Sequence, residues 1–382
     1  MNKIEELLAQ FCPNGVEFKK LGEICVVLRG KRLTKKELSS DGNYPVFHGG
    51  LIPLGRYNNF NRKAFQTMVI NTGSVGEVVW SDVDFWSSDG TFTIQTTERI
   101  NDRFLYFFLK IQEPYLKTQK REGGVPTISR EAVENIQIPI PPLPIQQEIV
   151  SILDKFTQLE AELEAELEAR RAQYEYYKNE LLNFEESDKW TELKEIVDFS
   201  QGIQVDISKQ SPVKKDGFVR FLRIVDFVKD NEPPRYIKNP GSRYVKNDGD
   251  LVMIRYGASA AGKVFLIYNG AIANNMFQIK LITKELDIKF LYYYLSQTKI
   301  YNFLNSNGGS STMPAITFGQ IGAVKIPIPS LAEQERIVGI LDKFEALVND
   351  ISVGIPAEIK ARRKQYEYYR GKLLDFKSIS NG

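Results

Sequence analysis

Two hydrophobic periods organise this chain. The longer one places apolar or aromatic residues at Ile149, Ile152, Phe156, Leu159, Leu163, Leu167, Tyr174, Tyr177, Leu181 and Phe184, with Arg170 the one polar member. The steps run 3-4-3-4-4-3-4-3-4-3, a helix seam with a single four-residue stutter. A second seam passes through Ile337, Ile340, Phe344, Leu347, Ile351, Ile355, Ile359, Arg362, Tyr366, Tyr369, Leu373 and Phe376. Each predicts a helix of about 40 residues, about 60 Å long at 1.5 Å per residue. Pro144 and Pro329 mark where the chain enters them, and Ser330 with Glu333 forms a capping-box pattern. Gly354 and Pro356 predict a kink or break in the second helix, because proline removes a backbone donor and clashes one turn back. Two seams this long most simply pair with each other, antiparallel.

The shorter period is that of strands. VVL (26–28), MVI (68–70), EVVW (77–80) and TFTI (91–94) read as strands before the first seam, and LVMIRY (251–256), KVFLIY (263–268) and MFQIKL (276–281) before the second. Asn101–Lys110 and residues 287–295 read as short capped helices.

These elements form a repeat. IPIPPLPIQQEIVSILDKF (138–156) returns as IPIPSLAEQERIVGILDKF (326–344), and ARRAQYEYYKNELLNF (169–184) as ARRKQYEYYRGKLLDF (361–376). Weaker echoes pair FLYFFL (104–109) with FLYYYL (290–295), Gly123-Gly124 with Gly308-Gly309, and Gly30 with Gly202. A variable globular block followed by a near-identical helical block is thus used twice. Two copies make a pseudo-twofold molecule, since a solenoid needs three or more. The expected fold is α+β: two mixed α/β domains separated by two long antiparallel helices in a coiled coil. The boundaries are 1–143, 144–186, 187–329 and 330–378.

The 382 residues suit two domains, and their 42% hydrophobic content suits buried cores. The charge is unevenly spread. Residues 145–189 carry 5 basic and 12 acidic side chains, whereas residues 190–329 carry 18 and 12. Basic blocks around an acidic one permit nucleic-acid binding without establishing it. The charged start, the lack of a long apolar run and the two early cysteines, Cys12 and Cys25, suggest a cytoplasmic protein with neither membrane span nor disulfide framework.

Catalytic motifs fail on inspection. Gly257–Lys263 imitates a phosphate loop but ends in Val264 and lies between strands, which suits a turn. EPPRY (232–236) superficially resembles the adenine-methyltransferase motif but places Glu232 where a neutral acceptor is needed. His48 is the only histidine, which argues against a metal cluster or a triad in both halves and suits a structural or surface role.

CPNGVEFKKLGEI (12–24), the two IPIP segments, IPAEIKARRKQYEYYR (355–370) and the doubled plan resemble the specificity subunits of type I restriction-modification systems, over essentially the whole chain. The resemblance implies that each globular block is a target-recognition domain for one half of a split, asymmetric DNA site, with the helices as a ruler setting the unread spacer. It implies two methyltransferase subunits that bring S-adenosylmethionine, and restriction subunits that use ATP and magnesium. It assigns this chain no catalysis and no cofactor of its own. The four extra residues in the second helix depart from strict twofold equivalence. A coiled-coil adaptor binding protein partners through two divergent domains is the alternative, and an orphan DNA-binding regulator a third reading.

Sequence readers need side chains on base edges and cations on phosphates. The first block offers Arg29, Lys31 and Arg32 beside Gly30, then Asn58, Asn59, Asn61, Arg62 and Lys63, then Lys120 and Arg121 before two glycines. The second offers Gln201 and Gln204 beside Gly202, then Arg220, Arg223, Arg243 and Arg255, and Asn305 and Asn307 before its glycine pair. For protein partners, the YEYY clusters offer Tyr174, Tyr177, Tyr366 and Tyr369, since tyrosine suits interfaces.

Overall fold

A single helix, Leu143–Leu181, follows the first seam. The second seam is broken, as Gly354 and Pro356 predict, into Leu331–Asn349 and Ile355–Leu373. A Cβ on Gly354 would lie 2.4 Å from the Ala346 carbonyl oxygen, so the chain turns there on glycine. Pro356 falls in the first turn of the new helix, where its missing N–H costs nothing. The capping box is only half made. Ser330 accepts from the Glu333 amide, but the Glu333 carboxylate is taken by Arg336 at 2.7 and 2.8 Å.

The computed structural model describes residues 2–121, 126–185, 189–229, 232–257, 260–306, 315–350 and 352–379. Two compact units emerge: Met1–Glu164 with Glu358–Gly382, and Ala165–Ala357. The first therefore takes in the start of the long helix and the end of the last one.

In the first unit, β1 (Phe18–Lys20) pairs with β9 (Gln137–Pro139). A four-stranded antiparallel sheet runs β2 (Val26–Arg29), β8 (Thr91–Gln95), β5 (Gln66–Ile70), β6 (Val78–Ser81). A smaller sheet runs β4 (Gly55–Tyr57), β3 (Tyr44–Phe47), β7 (Trp86–Ser87), with β3 and β7 parallel. The second unit repeats the plan. There β10 (Trp190–Glu192) pairs with β19 (Lys325–Pro327). Its antiparallel sheet is β11 (Val197–Gln201), β18 (Met276–Leu281), β15 (Leu251–Ile254), β16 (Val264–Leu266). Its other sheet is β13 (Arg235–Lys238), β12 (Phe218–Leu222), β17 (Gly270–Ile272), β14 (Val245–Lys246), with β12 and β17 parallel. The string 257–263 forms the turn between β15 and β16, although residues 258 and 259 lie outside the described set.

Each unit is built on the same three helix contacts. First, the helix Asp102–Ile111 is capped by Asn101, and Ile288–Leu295 by Asp287, each side chain accepting from two amides. Second, the repeated aspartate of LDKF pairs with a cation on that helix: Asp154 with Arg103 at 2.8 Å, Asp342 with Lys289 at 2.6 Å. Third, the following phenylalanine meets two tyrosines of a YEYY cluster. Phe156 stands 6.3 and 5.6 Å from the Tyr366 and Tyr369 rings, and Phe344 stands 6.4 and 5.5 Å from Tyr174 and Tyr177. The helices of the first unit pair antiparallel, with Arg363 bound to both Glu160 and Glu164. Ile145, Ile149 and Leu153 enter its core beside Phe104, Phe107 and Leu373, each such burial contributing about 2 kcal/mol. The seam is not apolar throughout: Leu159 stays 45% exposed beside this polar crossing.

Candidate nucleic-acid interface

Gly30 ends β2 against the other sheet of its unit so closely that a Cβ would lie 2.0 Å from the Ser88 carbonyl oxygen. Gly202 ends β11 in the same way, 2.2 Å from the Ala273 carbonyl oxygen. No other residue type fits either crossing. The weak Gly30–Gly202 echo in sequence is therefore a real structural equivalence.

Beyond Gly30 the first unit opens into a cleft of about 640 Å³ lined by Arg29, Arg32, Lys35, His48, Thr72 and Asp89, among others. Arg29, Arg32 and Lys35 are exposed. His48 is half-buried, and its Nδ1 lies 3.4 Å from Asp89 Oδ1 without hydrogen-bond geometry. Asp89 also accepts from the Ser88 hydroxyl at 3.1 Å. Lys31 is exposed, and its carbonyl accepts from the Trp86 indole at 2.8 Å, so its backbone fixes the cleft's edge.

Of the other candidates of this unit, Asn61 and Arg62 are half-buried and the rest exposed. Arg62 donates to the carbonyls of Asn61 and Arg29, and burial pushes its guanidinium below the ordinary arginine range. Asn61 is clipped to both backbone groups of Ser87. Asn59 accepts from the Phe60 amide. Lys63 pairs with Asp84 at 3.1 Å and covers the Phe60 ring. Asn58, Lys120 and Arg121 are exposed, and the glycine pair 123–124 lies outside the described residues.

In the second unit Gln201 donates to the Asn274 carbonyl, and Asn274 Nδ2 donates to Gln204 Oε1; both glutamines are exposed. Arg220 and Arg223 converge on Asp226 at 2.7 and 3.1 Å, a carboxylate with 1% side-chain exposure, so both guanidiniums carry a buried ion pair. Arg223 is further tied to Glu232, the acidic residue of EPPRY. Arg243 is exposed beside Tyr244, and Arg255 lies 5.3 Å from the Tyr256 ring. Asn305 donates to the Ala261 and Tyr301 carbonyls, which fixes a turn. Asn307 lies outside the described residues.

The four tyrosines chosen for partner contact are those that meet Phe156 and Phe344 within the units; Tyr174 is buried and Tyr177 is 40% exposed. Their neighbours Tyr176 and Tyr368 face outward, at 60% and 64% exposure. Sequence reasoning also passed over Asp89 and Asn274, which sit beside the chosen residues, and over the two buried glutamines Gln146 and Gln334. The repeat could have flagged the glutamines, since they share one offset. Among the described residues no helix is long and apolar enough to cross a membrane.

Known proteins share this plan. Residues 13–169 and 187–361 match the family described as Type I restriction modification DNA specificity domain. The chain is 31% identical to a putative type I restriction enzyme specificity subunit of Haemophilus influenzae, over 94% of this chain and 96% of that one. It is 30% identical to the EcoR124I/EcoR124II type I restriction enzyme specificity subunit of Escherichia coli, over 96% of each. In backbone it is similar to the S subunit of a type I restriction-modification system from M. genitalium, with TM-score 0.63 and 17% identity over 94% of this chain and 96% of that one. A chain from a structure of an assembling type I R-M system gives TM-score 0.57 at 19% identity over 94% and 97%. The last two likenesses concern the fold alone.

Proposed function

The chain belongs to the type I restriction-modification DNA specificity family, and on that premise we propose that it reads a bipartite DNA site, one half through each unit. The observation that carries this reading is the repeat itself. Two units share sheet order and helix contacts, yet they present different side chains at the Gly30 and Gly202 crossings. A shared scaffold with divergent outward chemistry suits two readers of unlike sequences. The long helices, on this reading, set the unread spacer. Partner subunits supply the chemistry: methyltransferase subunits with S-adenosylmethionine, and restriction subunits with ATP and magnesium. This chain supplies recognition and no catalytic group.

The overall charge of +2 releases few counterions on DNA, so tight selective binding is expected only in the complex with methyltransferase. The test replaces residues 16–136 with the matching block of a relative and sequences the methylome of cells carrying the chimera. One half of the methylated sequence should change and the other persist. Alteration of both halves would refute independent reading.

A further inference from the structure

Five backbone hydrogen bonds recur in both units where the two sheets of each unit meet. In the first, Gly30 donates to Thr91, Lys31 to Ser87, Ser88 to Phe47, Asn71 to Gly90 and Ile128 to Asn71, at 2.9–3.1 Å. In the second, Gly202 donates to Met276, Ile203 to Ile272, Ala273 to Leu222, Arg255 to Asn275 and Ile316 to Arg255, at 2.7–3.0 Å. The segments involved share little sequence, so the bonds themselves define which positions correspond. Counting from them, Arg32 stands where Gln204 stands, Asp89 where Asn274 stands, and His48 where Arg223 stands.

These three correspondences are not equal in what they leave available. Arg223 is committed to Asp226, Glu232 and the Pro233 carbonyl, so that position is structural in the second unit. Arg32 is exposed at the cleft that Asp89 also lines. Gln204 is exposed, and its amide oxygen accepts from Asn274 at 3.3 Å, a bond that does not use the Gln204 amino group. The frame is constant, and the chemistry changes from an arginine–carboxylate set to a pair of amides.

We propose that these corresponding positions are the specificity-determining pair of each unit: Arg32 with Asp89 reads a G·C pair, and Gln204 with Asn274 reads an A·T pair. Guanine presents two acceptors, O6 and N7, that match a guanidinium, and its partner cytosine presents an amino donor that matches a carboxylate. Adenine presents one acceptor and one donor, N7 and N6, the complement of a carboxamide. The assignment rests on the reading of the chain as a bipartite DNA reader.

The experiment uses the full chain in complex with its methyltransferase subunit, titrated against duplexes in which each position of both half-sites is varied. Arg32→Gln should lower discrimination for G·C at one position of one half-site by about ten- to a hundred-fold, and Gln204→Arg should do so for A·T at one position of the other. The remaining positions should keep their preferences. Both side chains are exposed, so neither change disturbs a core. An unchanged site, or equal weakening on every duplex as a phosphate contact would give, overturns the assignment. A wild-type complex with no sequence preference would instead sink the underlying function.

Discussion

Gln146 has no exposed surface, and three hydrogen bonds account for its presence in a core. Its Nε2 donates to the Arg99 and Pro141 carbonyls, and its Oε1 accepts from the Asn101 amide. Gln334 does the same with Glu285, Pro329 and Asp287. Each glutamine thus ties the proline-bounded start of a long helix to the loop that caps the neighbouring short one. Alanine at either position would remove all three hydrogen bonds at once. Gln146→Ala should cost about 3 kcal/mol in the first unit, and Gln334→Ala a similar amount in the second. Native-state hydrogen exchange can separate the two, and loss of protection in the unmutated unit alone would count against this account. Such residues are hard to read from sequence. Gln146 and Gln147 look alike locally, and it is the helix phase, three residues before the buried Ile149, that turns the first inward. The same holds for Arg220 and Arg223, which read as free cations because Asp226, three residues past Arg223, gives no hint that it will be buried beneath them.

At the scale of elements, period served well and long-range pairing did not. The seams announced the helices because a three-four alternation over ten steps has no strand interpretation. Gly354 and Pro356 placed the break in the second. By contrast, β7 and β14 are two residues long and exist only through partners distant in sequence, so no local pattern marks them. The seam also misplaced Leu159 in a continuous apolar contact, where Arg363 instead reaches Glu160 and Glu164. These acidic residues belong to the tandem Leu-Glu-Ala-Glu of 159–169, which stays helical throughout. Inserting one LEAE block after Glu166 would add about 6 Å and rotate the helix by only about 40° beyond a full turn. It would leave both partners of Arg363 in place. One base pair advances about 3.4 Å and turns about 35°. The expected outcome is an unread spacer longer by one or two base pairs with both half-sites unchanged, read from the methylated motif in cells. An unchanged spacer at full activity would show that the helices do not set the distance.

At the scale of the whole molecule, the repeat in sequence and the units in space are cut differently. The sequence repeats as block and helix, block and helix. Each compact unit instead draws its helix contacts from both copies. The first LDKF meets the second YEYY in one unit, and the second LDKF meets the first YEYY in the other. Sequence reasoning anticipated paired helices but could not assign the halves of each to a unit, because the two copies are nearly interchangeable in sequence. The assignment has a consequence for truncation. Residues 358–379 follow the second unit directly in the chain, yet their side chains complete the first unit. Leu373 and Leu374 are buried in its core, Phe376 packs 6.2 Å from Phe104, and the Ser378 segment bridges to Val16. Ending the chain after Ala357 should therefore loosen the distant N-terminal unit and spare the adjacent one. Burial of two leucines and a phenylalanine is worth about 6 kcal/mol in all, a large part of what holds a domain folded. Hydrogen exchange on the truncated chain should show protection falling in β1, β9 and the helix Asp102–Ile111, while β11, β15 and β18 keep theirs. Protection lost first in β11, β15 and β18 would mean that the C-terminal helix belongs to the second unit, and that the two copies pair within themselves.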